Sequence, residues 1–332
     1  MQRILVIQTA FIGDVVLATG LLEKLHQYFP EAAIDIAVRK GNEGLFPDHP
    51  FLQTIHIWDK RKNKYRNLFR LLFAIRKKKY DVVVNIQRYL ATGFLTAFSG
   101  AQKTIGFNKN PLFFLFTQVI PHEFSGEGDA VHEIQRNHAL IRSITDDEAA
   151  RPKLYPSAAD AATVLPYQQT PHICIAPASV WFTKQYPAEK WVALIDQLPS
   201  QYNIFLLGAP GDQSLCHSIQ NQCKRSVVNL AGTLSFLSSA SLMKNAVMNY
   251  VNDSAPMHFA SAVNAPVTAV YCSTVPSFGY GPLSERSFIV ESPVALSCRP
   301  CGLHGHAACP KDHFNCAMQI STNQLLATLA TV

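Results

Sequence analysis

The feature that most constrains the fold is an alternation of short apolar runs with longer amphipathic segments, which occurs twice along the chain. The first run, residues 3–8, is built around Ile4-Leu5-Val6-Ile7, as in a parallel strand covered by helices on both faces. A turn through Gly13 and Asp14 leads into a predicted helix at 15–28, whose apolar residues recur at helical spacing. This order predicts right-handed crossovers and an α/β fold with a doubly wound sheet.

The first alternation continues to about residue 150 and the second begins at residue 172. Further strands are predicted at 33–38, 54–58 and 81–86, a basic amphipathic helix at 68–79, and polar, helical sequence at 123–150. The second half has predicted strands at 172–176, 203–208, 247–251 and 267–271. Its predicted helices are at 188–198, 212–223, 235–245, 256–263 and 322–332. Prolines punctuate the stretch between the halves: Pro152, Pro156, Pro166 and Pro171.

We therefore predict two Rossmann-like domains, at residues 1–158 and 171–318. A linker is predicted at 159–170 and a C-terminal helix at 319–332. The two halves repeat an architecture and not a sequence. Both are expected to bind ligands beyond the carboxyl ends of their strands.

Composition favours a globular protein with two domains. Of 332 residues, 48% are hydrophobic and 16% charged, enough to fill two cores. No apolar run reaches the roughly 18 residues of a membrane span. The start of the sequence lacks the small-residue cleavage site of a signal peptide, and a buried first strand explains its apolar character. A cytoplasmic location is expected.

The net charge of +6 is unevenly distributed, because ten of the 29 basic residues lie between Lys60 and Lys79. A solvated helix face is the commoner explanation. The alternative is a positively charged surface that binds an anionic acceptor or makes a peripheral contact with the cytoplasmic face of a membrane. Nucleic acid is not expected as a partner, because no recognition motif accompanies the charge.

The sequence following the first strand disfavours two common nucleotide-binding classes. Neither Gly-x-Gly-x-x-Gly nor a Walker sequence is present, which disfavours a classical dehydrogenase and a phosphate-loop NTPase. Instead, Asp14 stands where a helix is predicted to start. It can cap that helix. Because it also follows the carboxyl end of a strand, it can act as a general base on an acceptor hydroxyl.

Two strand ends of the second half carry candidate phosphate ligands. Ser179 and Lys184 follow the strand at 172–176, and Lys184 precedes a helix start, an arrangement typical of a diphosphate clamp. Asp253 and Ser254 follow the strand at 247–251, with His258 one helical turn later. The structural alternatives are a surface lysine, a helix-capping Asp253 and a core histidine.

Together, several short motifs resemble glycosyltransferase family 9, the lipopolysaccharide heptosyltransferases. The resemblance spans nearly the whole chain and depends on the order and spacing of these motifs. They are Ile4-Leu5-Val6-Ile7 with Phe11-Ile12-Gly13-Asp14-Val15, Lys184-x-Tyr186-Pro187 with Trp191, Leu207-Gly208-Ala209, Leu230-Ala231-Gly232, and Asn252-Asp253-Ser254 with His258.

The resemblance implies a GT-B architecture, in which two Rossmann-like domains face a central cleft. It implies that the N-terminal domain binds a lipopolysaccharide inner-core acceptor and the C-terminal domain binds ADP-heptose. The reaction would be inverting and would require no cofactor or metal; the sequence has no Asp-x-Asp pair. By the same resemblance Asp14 is the catalytic base, and the donor-binding residues are Ser179, Lys184, Asp212 (for the nucleoside), Asp253, Ser254 and His258.

The chain departs from the family pattern at two positions. Ala255 stands where a glycine commonly follows the Asp-Ser/Thr pair, and Tyr186 stands where many members have tryptophan. These departures leave the fold prediction unchanged and bear on the identity of the sugar.

Four late cysteines form a separate cluster: Cys298, Cys301, Cys309 and Cys316. Thiolates with nearby histidines suit structural zinc; free thiols are the alternative, and in neither case is the cluster taken as the catalytic centre. Two other functions are also compatible with the sequence. One is a nucleotide-sugar epimerase of GT-B-like fold, and the other a zinc-dependent interaction protein on an inactive scaffold.

Overall fold

The computed structural model describes residues 2–123 and 131–330. Their contacts divide the chain into two compact units, Met1–Tyr155 and Pro156–Val332. We call them the first and the second unit. Each has its own sheet, and each is described by itself below.

The first unit is built on a parallel six-stranded sheet in the order β3-β2-β1-β4-β5-β6. Each neighbouring pair is parallel, with β1 between β2 and β4. The four described α-helices follow strands β1, β3, β4 and β6 along the chain. The elements are β1 (Arg3–Ile7), α1 (Ile12–Tyr28), β2 (Ala33–Arg39), β3 (Leu52–Trp58), α2 (Lys64–Lys78), β4 (Val82–Asn85), α3 (Leu90–Ala97), β5 (Lys103–Phe107), β6 (Gln118–Ile120) and α4 (Glu133–Ala139).

The second unit repeats this topology. From one edge to the other its strands are ordered β9-β8-β7-β10-β11-β12, which is the order of the first sheet when counting starts at β7. The elements are α5 (Ala158–Val164), β7 (His172–Ala176), α6 (Ala188–Gln197), β8 (Asn203–Leu206), α7 (Gln213–Gln222), β9 (Val228–Asn229), α8 (Phe236–Lys244), β10 (Met248–Asn252), α9 (Ala255–Ala262), β11 (Val267–Tyr271), β12 (Ser287–Glu291), α10 (Asn315–Met318) and α11 (Thr322–Leu329).

Both sheets have the strand order of the dinucleotide-binding fold. The predicted α/β class with two Rossmann-like, doubly wound sheets is therefore confirmed. The central strands explain why their sequences read as uninterrupted apolar runs: every residue of β7, β10 and β11 is buried, since helices cover both faces. Among the described residues, no helix combines the length and the apolar character needed to cross a bilayer.

Several elements differ from their predicted extents. Helix α1 begins at Ile12, so Gly13 lies in its first turn and not in a preceding turn. Helix α2 begins at Lys64, four residues before the predicted start. Within the polar stretch 123–150 the described helix is α4, and residues 124–130 lie outside the described part of the chain. Helices α3 and α10 and strands β5, β6 and β12 were not predicted.

The stretch 159–170, predicted as a linker, contains helix α5. The Ser157 hydroxyl accepts the Asp160 N–H at 3.2 Å, and the Asp160 carboxylate accepts the Ser157 N–H at 3.0 Å. This reciprocal capping starts a helix directly after Pro156. The other Asp160 oxygen accepts the hydroxyls of Ser235 and Ser238, at 3.0 and 2.7 Å, which docks α5 on α8.

A buried polar network joins three elements of the first unit. The Tyr80 hydroxyl donates to Asp35 Oδ2, and His56 Nε2 lies 2.8 Å from the same hydroxyl. All three side chains are buried. Burial and the Asp35 carboxylate hold the pKa of Tyr80 above its usual range. The tyrosine therefore remains a donor to a carboxylate that water does not reach.

Replacing Tyr80 by phenylalanine removes that donor and leaves the Asp35 carboxylate buried without it. We expect Tyr80→Phe to lower the free energy of unfolding by about 2–4 kcal/mol, because an unsatisfied buried charged group costs more than a neutral one. Urea unfolding monitored by circular dichroism measures this. Tyr89→Phe, at an exposed tyrosine, is the matched control and should change stability by less than about 0.5 kcal/mol. Equal effects of the two substitutions would contradict the assignment.

Candidate active site

Asp14 lies in the first turn of α1, directly beyond the carboxyl end of β1. Its Oδ2 accepts the N–H of Phe11 at 3.1 Å. The carboxylate thus caps the helix from its third position, and this explains why the helix starts at Ile12. The side chain is half-buried, so it keeps access to a ligand at the strand ends.

The loop between β1 and α1 is held by side chains that follow three other strands of the same sheet. Lys60, after β3, donates from Nζ to the carbonyl of Thr9 at 2.7 Å. Asn42, after β2, donates from Nδ2 to the carbonyl of Ala10 at 3.1 Å. The Thr9 hydroxyl donates to Gln87 Oε1, after β4, at 2.5 Å. The position of Asp14 is therefore fixed by three strand ends.

Cationic side chains surround the same edge of the first sheet. The Arg39 guanidinium, at the end of β2, lies 4.8 Å from the ring centroid of Phe11, and the Lys60 ammonium lies 4.6 Å from that of Trp58. Burial lowers the pKa of Lys60 to about 8, with a contribution from the positive charge of Arg39. Burial also lowers the pKa of Arg39, and the negative charge of Asp14 partly opposes this shift.

Helix α4 contributes a buried ion pair near Asp14. Arg136 donates from both Nε and Nη2 to Glu133 Oε2 at 2.8 Å. Burial raises the pKa of Glu133; Arg136 opposes the shift, and the negative charge of Asp14 adds to it. Sequence reasoning missed Arg39, Glu133 and Arg136. For Arg39 the available signal was a charged residue at the end of an apolar strand.

In the second unit, Lys184 and Asp253 form an ion pair. Lys184 follows β7 and Asp253 follows β10, and these two strands are paired in parallel. Lys184 Nζ lies 2.6 Å from Asp253 Oδ2, with only 15% and 8% of the two side chains exposed. The Thr274 hydroxyl, after β11, donates to the same oxygen at 2.6 Å. Thr274 was not among the predicted site residues, although it lies at the end of a predicted strand.

Asn252 fixes the two loops that carry this pair. It is fully buried at the end of β10. Its Nδ2 donates to the carbonyl of Pro177 at 2.7 Å, and its Oδ1 accepts the N–H of Tyr186 at 2.9 Å. The amide therefore clamps both sides of the loop that contains Lys184, so the ammonium is preorganised.

The remaining predicted donor residues lie around the same edge. Ser254 is the residue before α9, and its hydroxyl donates to the carbonyl of Ala178 at a long 3.4 Å. His258 is buried on α9. Ser179 is half-buried in the loop after β7. Asp212 has a local role, because its Oδ2 accepts the Ala209 N–H at 2.7 Å and caps the turn after β8.

The segment that carries the late cysteines packs against the Lys184 loop. The His306 N–H donates to Thr183 Oγ1 at 2.7 Å, and the Thr183 N–H donates to the His306 carbonyl at 3.1 Å. A Cβ on Gly305 would lie 2.8 Å from Thr183 Oγ1, and its φ is +77°, so only glycine allows this approach. Arg299 donates to the carbonyls of Cys272 and Thr274 at 2.8 Å.

In the described residues the late cysteines are not grouped as the structural zinc site that the sequence offered as an alternative to free thiols. Cys298 Sγ lies 3.9 Å from His313 Nε2, a separation that two ligands of one zinc ion can have, but this is a single pair of side chains. Within residues 2–123 and 131–330, no three Cys, His, Asp or Glu side chains are arranged to bind a metal ion. None of the eight cysteines forms a disulfide bond. The segment instead supports the loop that positions Lys184.

The chain is similar to known glycosyltransferases. The chain is 25% identical over 287 residues to lipopolysaccharide heptosyltransferase 3 of Escherichia coli, covering 80% of this chain and 82% of that protein. It is 24% identical over 312 residues to lipooligosaccharide heptosyltransferase 2 of Haemophilus influenzae, covering 87% and 88%.

Solved structures show the same fold. The chain superposes on the E. coli ADP-heptose lipopolysaccharide heptosyltransferase II with a TM-score of 0.81 at 20% identity, covering 100% of this chain and 98% of that one. A family 9 glycosyltransferase of Veillonella parvula gives 0.85 at 19% identity, covering 99% and 96%. The family model for glycosyltransferase family 9 (heptosyltransferase) matches residues 68–308. Because that match covers well over half of the chain, this protein belongs to glycosyltransferase family 9, the heptosyltransferases.

Proposed function

We propose that this protein transfers heptose from ADP-heptose to the inner core of lipopolysaccharide, with inversion at the anomeric carbon and without a metal ion. The observation that carries the proposal is the Lys184–Asp253 pair, which lies where two adjacent strands end in the second unit. The names of similar proteins support a heptose donor and a lipopolysaccharide acceptor, and that of one similar structure includes ADP-heptose. The proposed setting is the cytoplasm, where nucleotide-sugars are made.

The second unit is proposed to bind the donor. The Lys184 ammonium supplies a point charge for the diphosphate, and the hydroxyls of Ser179 and Ser254 supply neutral donors. Asp253 would repel phosphate oxygens, so its proposed role is to hold Lys184 and to accept sugar hydroxyls. His258 contributes from the same helix as Ser254. Asp212 is proposed near the nucleoside, where its capping contact keeps the turn after β8 rigid.

The first unit is proposed to bind the acceptor. Asp14 removes the proton from an acceptor hydroxyl as the oxygen bonds to the anomeric carbon. The bond from that carbon to the diphosphate breaks at the same time, and Lys184 stabilises the negative charge on the leaving group. Because this cation acts on the leaving group, the proposed reaction requires no metal. Arg39 and Lys60 are proposed to bind phosphate or carboxylate groups of the acceptor.

Substituting Asp14 tests its proposed role as the base. Asp14→Asn keeps an oxygen that accepts the Phe11 N–H, so the helix cap survives while the base is lost. We expect turnover to fall by a factor of about 10²–10⁴, the usual contribution of general base catalysis. The melting temperature and the affinity for ADP should stay unchanged. Turnover is followed as ADP release in the presence of acceptor.

A matched control is available on α5. Asp160 occupies the same third helical position and accepts the Ser157 N–H at 3.0 Å. Asp160→Asn likewise keeps an oxygen that accepts this N–H, so it should retain both the helix cap and normal turnover. If Asp14→Asn turns over at the normal rate, Asp14 is not the base.

Substituting Lys184 tests the donor site. Lys184→Met should weaken ADP binding by a factor of about 10–100, since a charge-assisted hydrogen bond contributes about 1.5–3 kcal/mol. Binding of adenosine, which has no diphosphate, should be unaffected. Calorimetric titration of both ligands separates a lost clamp from a general disturbance of the site, and UDP and GDP serve as controls for base selectivity. Equal losses for ADP and adenosine, or a preference of the unsubstituted protein for UDP, would contradict the proposal.

The pKa of Lys60 predicts a pH dependence. Its ammonium is charged below about pH 8 and becomes neutral as the pH rises through that value. We therefore expect kcat/KM for an anionic acceptor to fall above about pH 8 while the affinity for ADP stays constant. In Lys60→Arg the fall should disappear, because arginine stays charged. An identical alkaline fall in Lys60→Arg would show that another group is responsible.

A further inference from the structure

Helix α2 has two apolar faces, only one of which packs against the first unit. Its inner face buries Leu68, Leu71, Leu72 and Ile75. Its outer face carries Tyr65, Phe69 and Phe73, which recur every four residues and so form one row along the helix. Tyr65 is 70% exposed and Phe73 67% exposed. Large exposed aromatic side chains in a row, and not scattered singly, are characteristic of a contact surface.

Basic side chains line this aromatic row. Arg66 and Arg70 lie one position further along the helix than Tyr65 and Phe69, and Lys77 continues the aromatic row by one turn. Between residues 60 and 122 the chain has 13 lysines and arginines and a single acidic residue, Asp81. Asp81 accepts the N–H of Arg3 at 2.7 Å and therefore lies at the amino end of β1, the opposite edge from the candidate site. Helix α2 itself contains six lysines and arginines and no acidic residue, so its exposed side is positively charged.

The apolar surface continues onto α3 and its neighbouring loop. Phe69 packs edge-on against Phe94 with ring centroids 5.6 Å apart, and Phe94 contacts Phe98 at 5.0 Å. The Arg76 guanidinium donates to the carbonyl of Phe98 at 2.8 Å, which fixes α3 beside α2. At the other end of α3, Asn110 donates to the Tyr89 carbonyl at 3.1 Å. This contact holds the following loop, with its exposed Phe113, Phe114 and Leu115, beside the exposed Leu90.

We propose that this aromatic and basic face, made by α2, α3 and residues 113–115, docks the protein on the surface of an anionic lipid bilayer. Aromatic rings partition into the interfacial region, and lysine and arginine side chains extend to the phosphates above it. Each basic residue near such a surface strengthens binding about fivefold, which follows from about 1 kcal/mol per charge. Docking of this kind needs no spanning helix.

Charge complementarity selects the bilayer over a second copy of the chain. A symmetric dimer through this face would oppose the row of Arg66 and Arg70 on one copy to the same row on the other. Like charges facing each other oppose association. A surface of anionic headgroups instead places negative charge opposite each of these arginines. The docking surface does not depend on the reaction proposed above, because none of its residues is assigned to donor, acceptor or catalysis.

Vesicle co-sedimentation of the full chain tests the proposal in the absence of donor and acceptor. The vesicles contain either phosphatidylcholine alone or equal parts of phosphatidylcholine and phosphatidylglycerol. We expect binding to the second kind only, and weaker binding at high salt. Arg66→Gln with Arg70→Gln should reduce the partition coefficient about 30-fold. Tyr65→Ser with Phe73→Ser should reduce it at any salt concentration, because that contribution is apolar.

Control variants remove the same side-chain types elsewhere. Lys224→Gln with Lys244→Gln removes two exposed charges, and Leu165→Ser one exposed apolar side chain, all from the second unit. These variants should bind vesicles like the unsubstituted protein. Absence of binding to the anionic vesicles would overturn the proposal, as would equal losses in the control variants. So would a dimer in light scattering that Phe73→Ser converts to a monomer. Because no turnover is measured, failure of the proposed reaction would leave these results interpretable.

Discussion

Parallel pairing of all strands is the constraint on which the rest of this structure depends. In a parallel sheet each strand delivers the chain to the same edge, so the segments that follow β1, β2, β3 and β4 meet there. Asp14, Arg39 and Lys60 occupy that edge in the first unit. The segments after β7, β10 and β11 bring Lys184, Asp253 and Thr274 together in the second. The candidate site residues can be distant in sequence because the strand order brings them together.

Buried hydrogen bonds then turn proximity into fixed geometry. Asn252 holds both sides of the loop that contains Lys184, and Asp253 holds its ammonium. Lys60 holds the loop before Asp14 through the carbonyl of Thr9. Side chains that are positioned before a ligand arrives lose little conformational entropy on binding, and this is how preorganised sites gain affinity and rate.

The secondary-structure elements that were predicted correctly are those that depend on the local sequence pattern. Strands β7 and β11 have their predicted bounds because both are short apolar runs bounded by polar or turn residues. Strand β5 was missed because Lys103 and Gly106 interrupt its apolar character; a Cβ at Gly106 would lie 2.5 Å from the ring of Phe116, which explains the glycine. The Lys184–Asp253 pair joins residues far apart in the chain, so spacing alone could suggest the two residues but not their contact. The packing of His306 on Thr183 escaped prediction for the same reason.

The most direct test of the central claim is the anomeric configuration of the product. The full chain is incubated with ADP-heptose and a lipopolysaccharide inner-core acceptor, with and without a metal chelator, and the product is analysed by mass spectrometry and NMR. We expect one added heptose per released ADP, with the anomeric configuration opposite to that of the donor and no effect of the chelator. Retained configuration, or release of heptose to water without transfer, would contradict it.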